Sequence, residues 1–184
     1  MSYDLHLVRA GMTAIDAAEL VLGDVDPDNP NPGAFSPAAE ARKAHLTQAL
    51  RSVNPALEPF AFDYAEIARF LNISEEDARL KWRHIELNGP DGGNGIQITL
   101  HDETATVTVP YWHHGIAANT VWEEIWTYLT VLKTDGGLDV YDPQLDRILD
   151  LSTDLGAVLS TYGGVVGSVD QVAAKLKKPW WKFW

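Results

Sequence analysis

The sequence predicts an α+β fold: a two-layer sandwich of a small antiparallel or mixed sheet with helices mainly on one face. Three observations carry this. The first is the segment "GIQITLHDETATVTVPYW" at 95–112. With Asp102-Glu103 as a two-residue turn, Leu100 faces Ala105, Ile98 faces Val107 and Ile96 faces Val109, all apolar. On the opposite face, Gln97, Thr99 and His101 meet Thr108, Thr106 and Thr104. One register satisfies the alternation of both strands at once. The second is "YDLHLVR" at 3–9, where Tyr3, Leu5 and Leu7 alternate with Asp4, His6 and Val8, the period of a half-buried strand. The third is the spacing of Val121, Trp122, Ile125, Trp126, Leu129 and Leu132, three and four residues apart as an amphipathic helix requires. Strands and helices therefore come in unequal blocks, which suits helices layered on a sheet.

The elements follow in order. After the first strand, Thr13 is a helix N-cap with Asp16 three residues on, and Gly23 can end that helix. "DVDPDNPNPG" reads as a loop from its Pro, Asn and Asp content. Ser36-Pro37 starts a second helix, with a hydroxyl cap and proline at the first helical position, running to about Ser52 before Asn54-Pro55 stops it. Residues 63–82 read as two short helices capped by Asp63 and Ser74, each with an acid three residues later. "RHIEL" at 83–87 turns extended, "NGPDGGNG" connects, and the hairpin follows. Asp-Glu is not a favoured pair for a tight hairpin turn, so a longer loop is the alternative there. The helix through Trp122 places Glu123, Glu124, Thr127 and Lys133 on its far side and breaks at "TDGG". "LDVYD" is expected to be the final strand, and residues 145 to about 177 to be mostly helical.

Composition bounds the function. With 184 residues, 46% of them hydrophobic, the chain suits one domain spanning 1–184. It has no cysteine, which excludes disulfides, thiolate metal sites and cysteine nucleophiles together. The start "MSYDLHLVRAG" lacks the basic and continuously apolar run of a signal peptide, so a cytoplasmic protein is expected. Net charge is −12, yet the last ten residues, "KLKKPWWKFW", carry four lysines and no acid, leaving −16 on the rest. Such an acidic body repels phosphate backbones and attracts basic partners.

The motifs with chemical potential each meet a physical objection. His101, Asp102, Glu103, His113 and His114 are good metal-ligand types, but the hairpin register places His101 at the turn and His113 past the other end, roughly 30 Å away at 3.3 Å per residue. Asp24, Asp26 and Asp28 follow the start of a calcium loop, yet Asn29 and Phe35 stand where that loop needs glycine and glutamate. "YAEIARFLNISEEDARLKWRHI" resembles a helix-turn-helix, but Glu75, Glu76 and Asp77 lead the helix that would meet DNA. "NGPDGGNG" opens a strand, whereas phosphate loops open a helix. No nucleophile elbow or zinc helix motif occurs. No catalytic, metal or cofactor residues are therefore assigned, and no cofactor is expected. Candidate partner-binding residues are Trp122, Glu123, Glu124 and Trp126 with His113 and His114. The tail at 179–184, with Trp180, Trp181, Phe183 and Trp184, is expected to fold back and dock on the chain's own core.

The opening "MSYDLHLVR", the strand "LDVYDP" with "YDPQ" at Tyr141 to Gln144, and the aromatic-basic end resemble small uncharacterised bacterial proteins that often begin "MSYDL" and carry a late "YDPQ" strand. Some acidic proteins of that kind resemble toxin immunity proteins. The resemblance covers short pieces at both ends and brings no catalytic residues. It implies a non-enzymatic acidic binding protein whose partner is a protein, in its sharpest form a basic toxin. The alternatives are an enzyme using His84, His113 or His114 with nearby acids, and a helix-turn-helix-like DNA-binding protein.

Overall fold

The computed structural model describes residues 2–23, 28–31, 33–89 and 93–176, with side chains as far as Ser168. The aspartates of the calcium-like pattern at 24 and 26, the centre of the glycine-rich connection at 90–92 and the aromatic tail at 177–184 lie outside the described residues, so the expectation of a docked tail does too.

The chain runs β1 (Ser2–Arg9), α1 (Ala14–Leu22), α2 (Pro37–Val53), β2 (Glu58–Pro59), α3 (Tyr64–Leu71), α4 (Glu75–Lys81), β3 (Ile85–Asn88), β4 (Gln97–Leu100), β5 (Ala105–Pro110), α5 (Gly115–Thr134), β6 (Leu138–Asp142), β7 (Arg147–Ile148) and α6 (Leu155–Leu176). The seven strands form one sheet in the order β2-β3-β4-β5-β1-β6-β7. Every neighbouring pair is antiparallel. The fold is α+β, as expected.

The hairpin register holds as read: Leu100 pairs with Ala105, Ile98 with Val107, Thr99 with Thr106 and Gln97 with Thr108. The turn has two residues, closed by the His101 N–H donating to Thr104 O at 2.9 Å. Neither Asp102 nor Glu103 has positive φ, so this is not the mirror-image turn that favours Asn-Gly. Asp102 is held from outside instead. Its carboxylate accepts from Lys43 Nζ at 3.0 Å and from Arg83 Nε and Nη2 at 3.1 and 2.5 Å.

The caps explain the helix boundaries. Thr13 Oγ1 accepts from Asp16 N at 3.2 Å while the Asp16 carboxylate reaches back to the Thr13 N–H, a complete capping box. Ser36, Asp63 and Ser74 each accept from the N–H three residues on. Asn72, at φ 55°, makes the left-handed corner between α3 and α4.

One face of the sheet holds the core. Tyr3, Leu5 and Leu7 of β1, Ile98 and Leu100 of β4, and Val107 and Val109 of β5 pack beneath Leu46 and Leu50 of α2, Trp122, Ile125 and Leu129 of α5, and Val158 and Tyr162 of α6. At about 25 cal/mol per Å² of apolar surface, each fully buried large side chain contributes about 1.5–3 kcal/mol. The centre is aromatic: Tyr3 meets Trp122 edge-on at 5.2 Å, Trp122 meets Tyr162 at 5.4 Å, and Tyr111 stacks on Tyr162 at 5.3 Å. Helix α1 lies on the other face, over Val8 and Tyr141 at the β1–β6–β7 end.

Two expectations are corrected. "LDVYD" is not the last strand, and residues 143–154 are not helical. Aspartate side chains there capture backbone donors that a helix would need. Asp142 accepts from the N–H groups of Gln144 and Leu145, Asp150 from that of Ser152, and Asp154 from that of Asp150. Asp146 turns left-handed at φ 50°, so the chain doubles back as β7 before α6 starts at Leu155. The two-residue edge strand β2 is the other addition, with Pro59 limiting further pairing.

Candidate functional site

The residues read from sequence as partner contacts do not form one surface. Trp122 is fully buried in the core, so it presents nothing to a partner. Trp126 is half-buried and donates from Nε1 to Leu151 O at 2.8 Å, tying α5 to the segment before α6. Glu124 is a joint: Oε1 accepts from Asn54 Nδ2 at 3.0 Å and from the Tyr128 hydroxyl, and Oε2 from Asn94 Nδ2 at 2.7 Å. Burial and that carboxylate push the Tyr128 hydroxyl well above the ordinary tyrosine range. Glu123 is exposed. His113 Nε2 lies 2.6 Å from Asn94 O and its N–H donates to the Tyr162 hydroxyl at 3.2 Å, while His114 is the exposed N-cap of α5. The amphipathic pattern placed Trp122 and Trp126 correctly on one helix face. That face belongs to the core.

His6, His84 and His101 gather on the polar face of the sheet, while His45 is exposed on α2. Successive cross-strand pairs put Glu86 beside Thr99, Thr99 beside Thr106, and Thr106 beside His6. His84 and His101, one step along, approach to 5.4 Å between ring centroids. His84 is 8% exposed. Asn31 Nδ2, which also donates to Lys81 O, donates to His84 Nδ1 at 3.2 Å, so in the neutral ring Nε2 carries the proton and faces Glu86 Oε1 at 3.3 Å. Both ring nitrogens of His84 are thereby committed. His101 is held neutral, down at about 4: burial is the main cause, and His84 and Lys43 add to it. Burial also lowers His6 against the opposing pull of Asp4.

Beside these rings lies the ion cluster of the hairpin turn. Lys43 is fully buried and bonds Arg83 O at 2.6 Å and Asp102 Oδ1 at 3.0 Å, with Glu40 Oε1 at 2.7 Å. Arg83 also donates to Asn31 O and Gly33 O, and Arg42 to Asp102 O and Gly136 O. Burial alone would raise the Asp102 carboxyl, but the bonds from Arg83 and Lys43 outweigh it and hold it below its usual range. This cluster pins α2, Asn31, Gly33 and the end of α4 to the turn. Its carboxylate is neutralised twice and is poorly suited to act as a base. Among the described residues, no three His, Asp or Glu side chains converge as a metal site, and no helix is long and apolar enough to cross a membrane.

A different surface appears at residues 58–81. This stretch holds six acids, Glu58, Asp63, Glu66, Glu75, Glu76 and Asp77, against three bases. All six acids are exposed. Phe70 is 84% exposed, Phe60 53% and Leu80 42%. Asp63, Glu66 and Phe70 share one side of the α3 turn by their spacing, and Glu76 and Leu80 one side of α4. The helix-turn-helix-like pair is therefore present as an acidic corner carrying apolar side chains. Its sequence signal was the acidic leading edge; that Phe60 and Phe70 find no core could not be read before the helices were placed. No protein-family model, curated protein or solved structure matches the chain.

Proposed function

We propose that this chain is a non-enzymatic binding protein that captures a basic protein partner, with neutralisation of a bacterial toxin as the sharpest form of that role. The observation that carries the reading is the α3–α4 corner, where Phe70, Phe60 and Leu80 stand exposed among six acids. Apolar anchors on a net-acidic surface, six acids against three bases, suit a complementary cationic surface: the anchors supply affinity and the charge supplies encounter rate and selectivity. The acidic body, at −16 outside the last ten residues, reinforces the steering. The resemblance of the two chain ends to small uncharacterised bacterial proteins, of which some acidic ones resemble immunity proteins, supports the same reading. On the polar sheet face, His84, whose ring meets the Glu86 carboxylate, has both nitrogens engaged, which favours a structural role for that pair over a catalytic one.

The test is recovery of the partner from the native bacterium at low salt, followed by binding measurements with purified components. A partner with basic isoelectric point is expected. Phe70→Asp and Glu76→Lys should each weaken it by about 2 kcal/mol, the scale of an interface hot spot, and leave thermal unfolding nearly unchanged because both side chains are solvent-exposed. A recovered partner that binds both variants as tightly as the parent protein would overturn the assignment of this surface, and an acidic partner would overturn the reading itself.

A further inference from the structure

The acidic corner has a complement within the same sequence. Residues 175–184, "KLKKPWWKFW", carry four lysines, no acid and four large aromatics. No other stretch of the chain gathers four lysines or arginines in ten residues. The corner at 58–81 carries six acids against three bases, a net charge of −3, with Phe60, Phe70 and Leu80 exposed. Of those bases, Arg79 is already engaged: it meets Glu75 at 3.7 Å and lies over the Tyr64 ring at 4.5 Å. Charge of −3 thus stands against +4, and each side brings apolar anchors. Opposite charge sets orientation and encounter rate, and aromatic burial holds the contact.

Topology decides between the same chain and a second copy. The corner hangs at the hairpin-turn end of the sheet, where Phe62 packs on His84 at 4.8 Å between ring centroids and Ile85 enters β3 opposite Leu100. Helix α6 leaves at the other end. Trp126 bonds Leu151 just before α6, whereas the Tyr162 hydroxyl donates to Pro110 O and accepts from the His113 N–H, so α6 runs toward the start of α5. Beyond Tyr162 it continues to Leu176, about 21 Å at 1.5 Å per residue. Strand β5, from Ala105 to Pro110, spans roughly 17 Å between the two ends. Even with α6 tilted about 40° to the strands, the gap along them exceeds roughly 30 Å. From Leu176 to Trp184 the chain reaches at most about 29 Å. The segment therefore falls short of the corner of its own chain. We propose that residues 175–184 of one copy seat on the α3–α4 corner of a second copy, joining chains head to tail, so that a basic protein partner must displace the segment to be captured. The inference rests on the reading of the corner as a docking surface for cationic chains. A contact between two different patches closes into a ring or continues as a linear assembly.

The test is sedimentation equilibrium of the full chain at about 20 mM salt, loaded from about 5 to 200 µM. The average mass should climb above that of the monomer with concentration and return to it at about 300 mM salt. Phe70→Asp in the corner, and Trp180→Ser combined with Trp181→Ser in the segment, should each weaken association at least about tenfold. Glu76→Lys is the second corner variant, with the same expectation. Mixed in equal amounts, a corner variant and the segment variant should form a dimer and nothing larger, because one intact segment then meets one intact corner. Diluted until the parent protein is monomeric, the segment variant should melt with the parent. A parent protein that stays monomeric, a mixture that stays monomeric, or a segment variant that melts many degrees lower when dilute, as docking on its own core requires, would each overturn the proposal. The proposed function is judged separately, by whether Phe70→Asp loses a recovered basic partner at concentrations where the chain is monomeric.

Discussion

At the residue scale, Asp102 and His101 are adjacent in the turn and opposite in their electrostatic roles. Asp102 is the counter-charge for a lysine with no exposed side-chain surface. Asp102→Asn keeps the shape and removes the charge, leaving Lys43 with Glu40 and half-paired Arg83. Breaking a buried pair on one side is the costly case, and a loss of about 2–4 kcal/mol is expected in urea unfolding. His101 sets an acid limit. Its pKa falls from 6.5 to about 4 on folding, so below pH 6.5 the unfolded chain takes up a proton that the folded chain refuses. Stability from this group is complete above pH 6.5 and is lost as pH falls toward 4. His6 shifts in the same direction and adds to the slope. Unfolding free energy measured from pH 7 to 4 should therefore decline, and His101→Phe should flatten that decline. Identical slopes for the two proteins would count against this account. Asp102, held low, adds its own loss only at more acid pH, below the ordinary carboxylate range.

At the element scale, the connection into β4 depends on one glycine. Gly95 has φ 70°, and a Cβ there would collide with the indole of Trp112 and the ring of Pro110. Gly95→Ala thus suffers both left-handed strain and a clash, and should lose about 1–3 kcal/mol, read as a lowered midpoint of thermal unfolding. The same substitution at Gly163 or Gly167, in α6, meets no neighbour and should stabilise slightly by helix propensity. Helix α5 makes the complementary point. Trp122 is buried against Tyr3 and Tyr162, and its indole N–H has no hydrogen-bond partner among the described residues. Trp122→Ala should cost about 3–5 kcal/mol of stability. Partner affinity, measured well below the melting temperature, should not change, since the residue has no exposed surface.

At the scale of the whole molecule, the sheet separates two kinds of surface. Its inner face is closed by α2, α5 and α6. Its outer face is covered by α1 at one end and carries threonines, histidines and acids elsewhere. The edges are short strands, β2 with a proline and β7 with two residues, which discourages edge-to-edge association. Under the proposed function, capture of a partner falls to the acidic α3–α4 corner. If steering by the acidic body matters, the association rate with a basic partner should fall at least about tenfold between 20 and 300 mM salt while the dissociation rate changes little. An association rate insensitive to salt would mean that Phe60 and Phe70 act without electrostatic help.

Local periodicity was enough for the hairpin register, the capped helices and the inward face of α5, because each depends on residues close in sequence. Tyr3, Leu5 and Leu7 announced a strand, and Leu100 opposite Ala105 announced the register of the β4–β5 hairpin. The strand order could not be inferred in this way. That β1 lies between β5 and β6 is set by contacts about 100 to 135 residues apart, and that placement brings Tyr3 to Asp142. The assembly of the polar face is decided at the same level. His6, His84 and His101 are far apart along the chain, and only the pairing of four strands makes them neighbours beside Lys43, Arg83 and Asp102. Glu124 looked like a solvated surface acid until the folded loops supplied Asn54 and Asn94 as donors. Amphipathic spacing identifies a face of a helix; whether that face meets a core or a partner depends on which elements arrive from elsewhere in the chain, because burial is a property of the assembled layers.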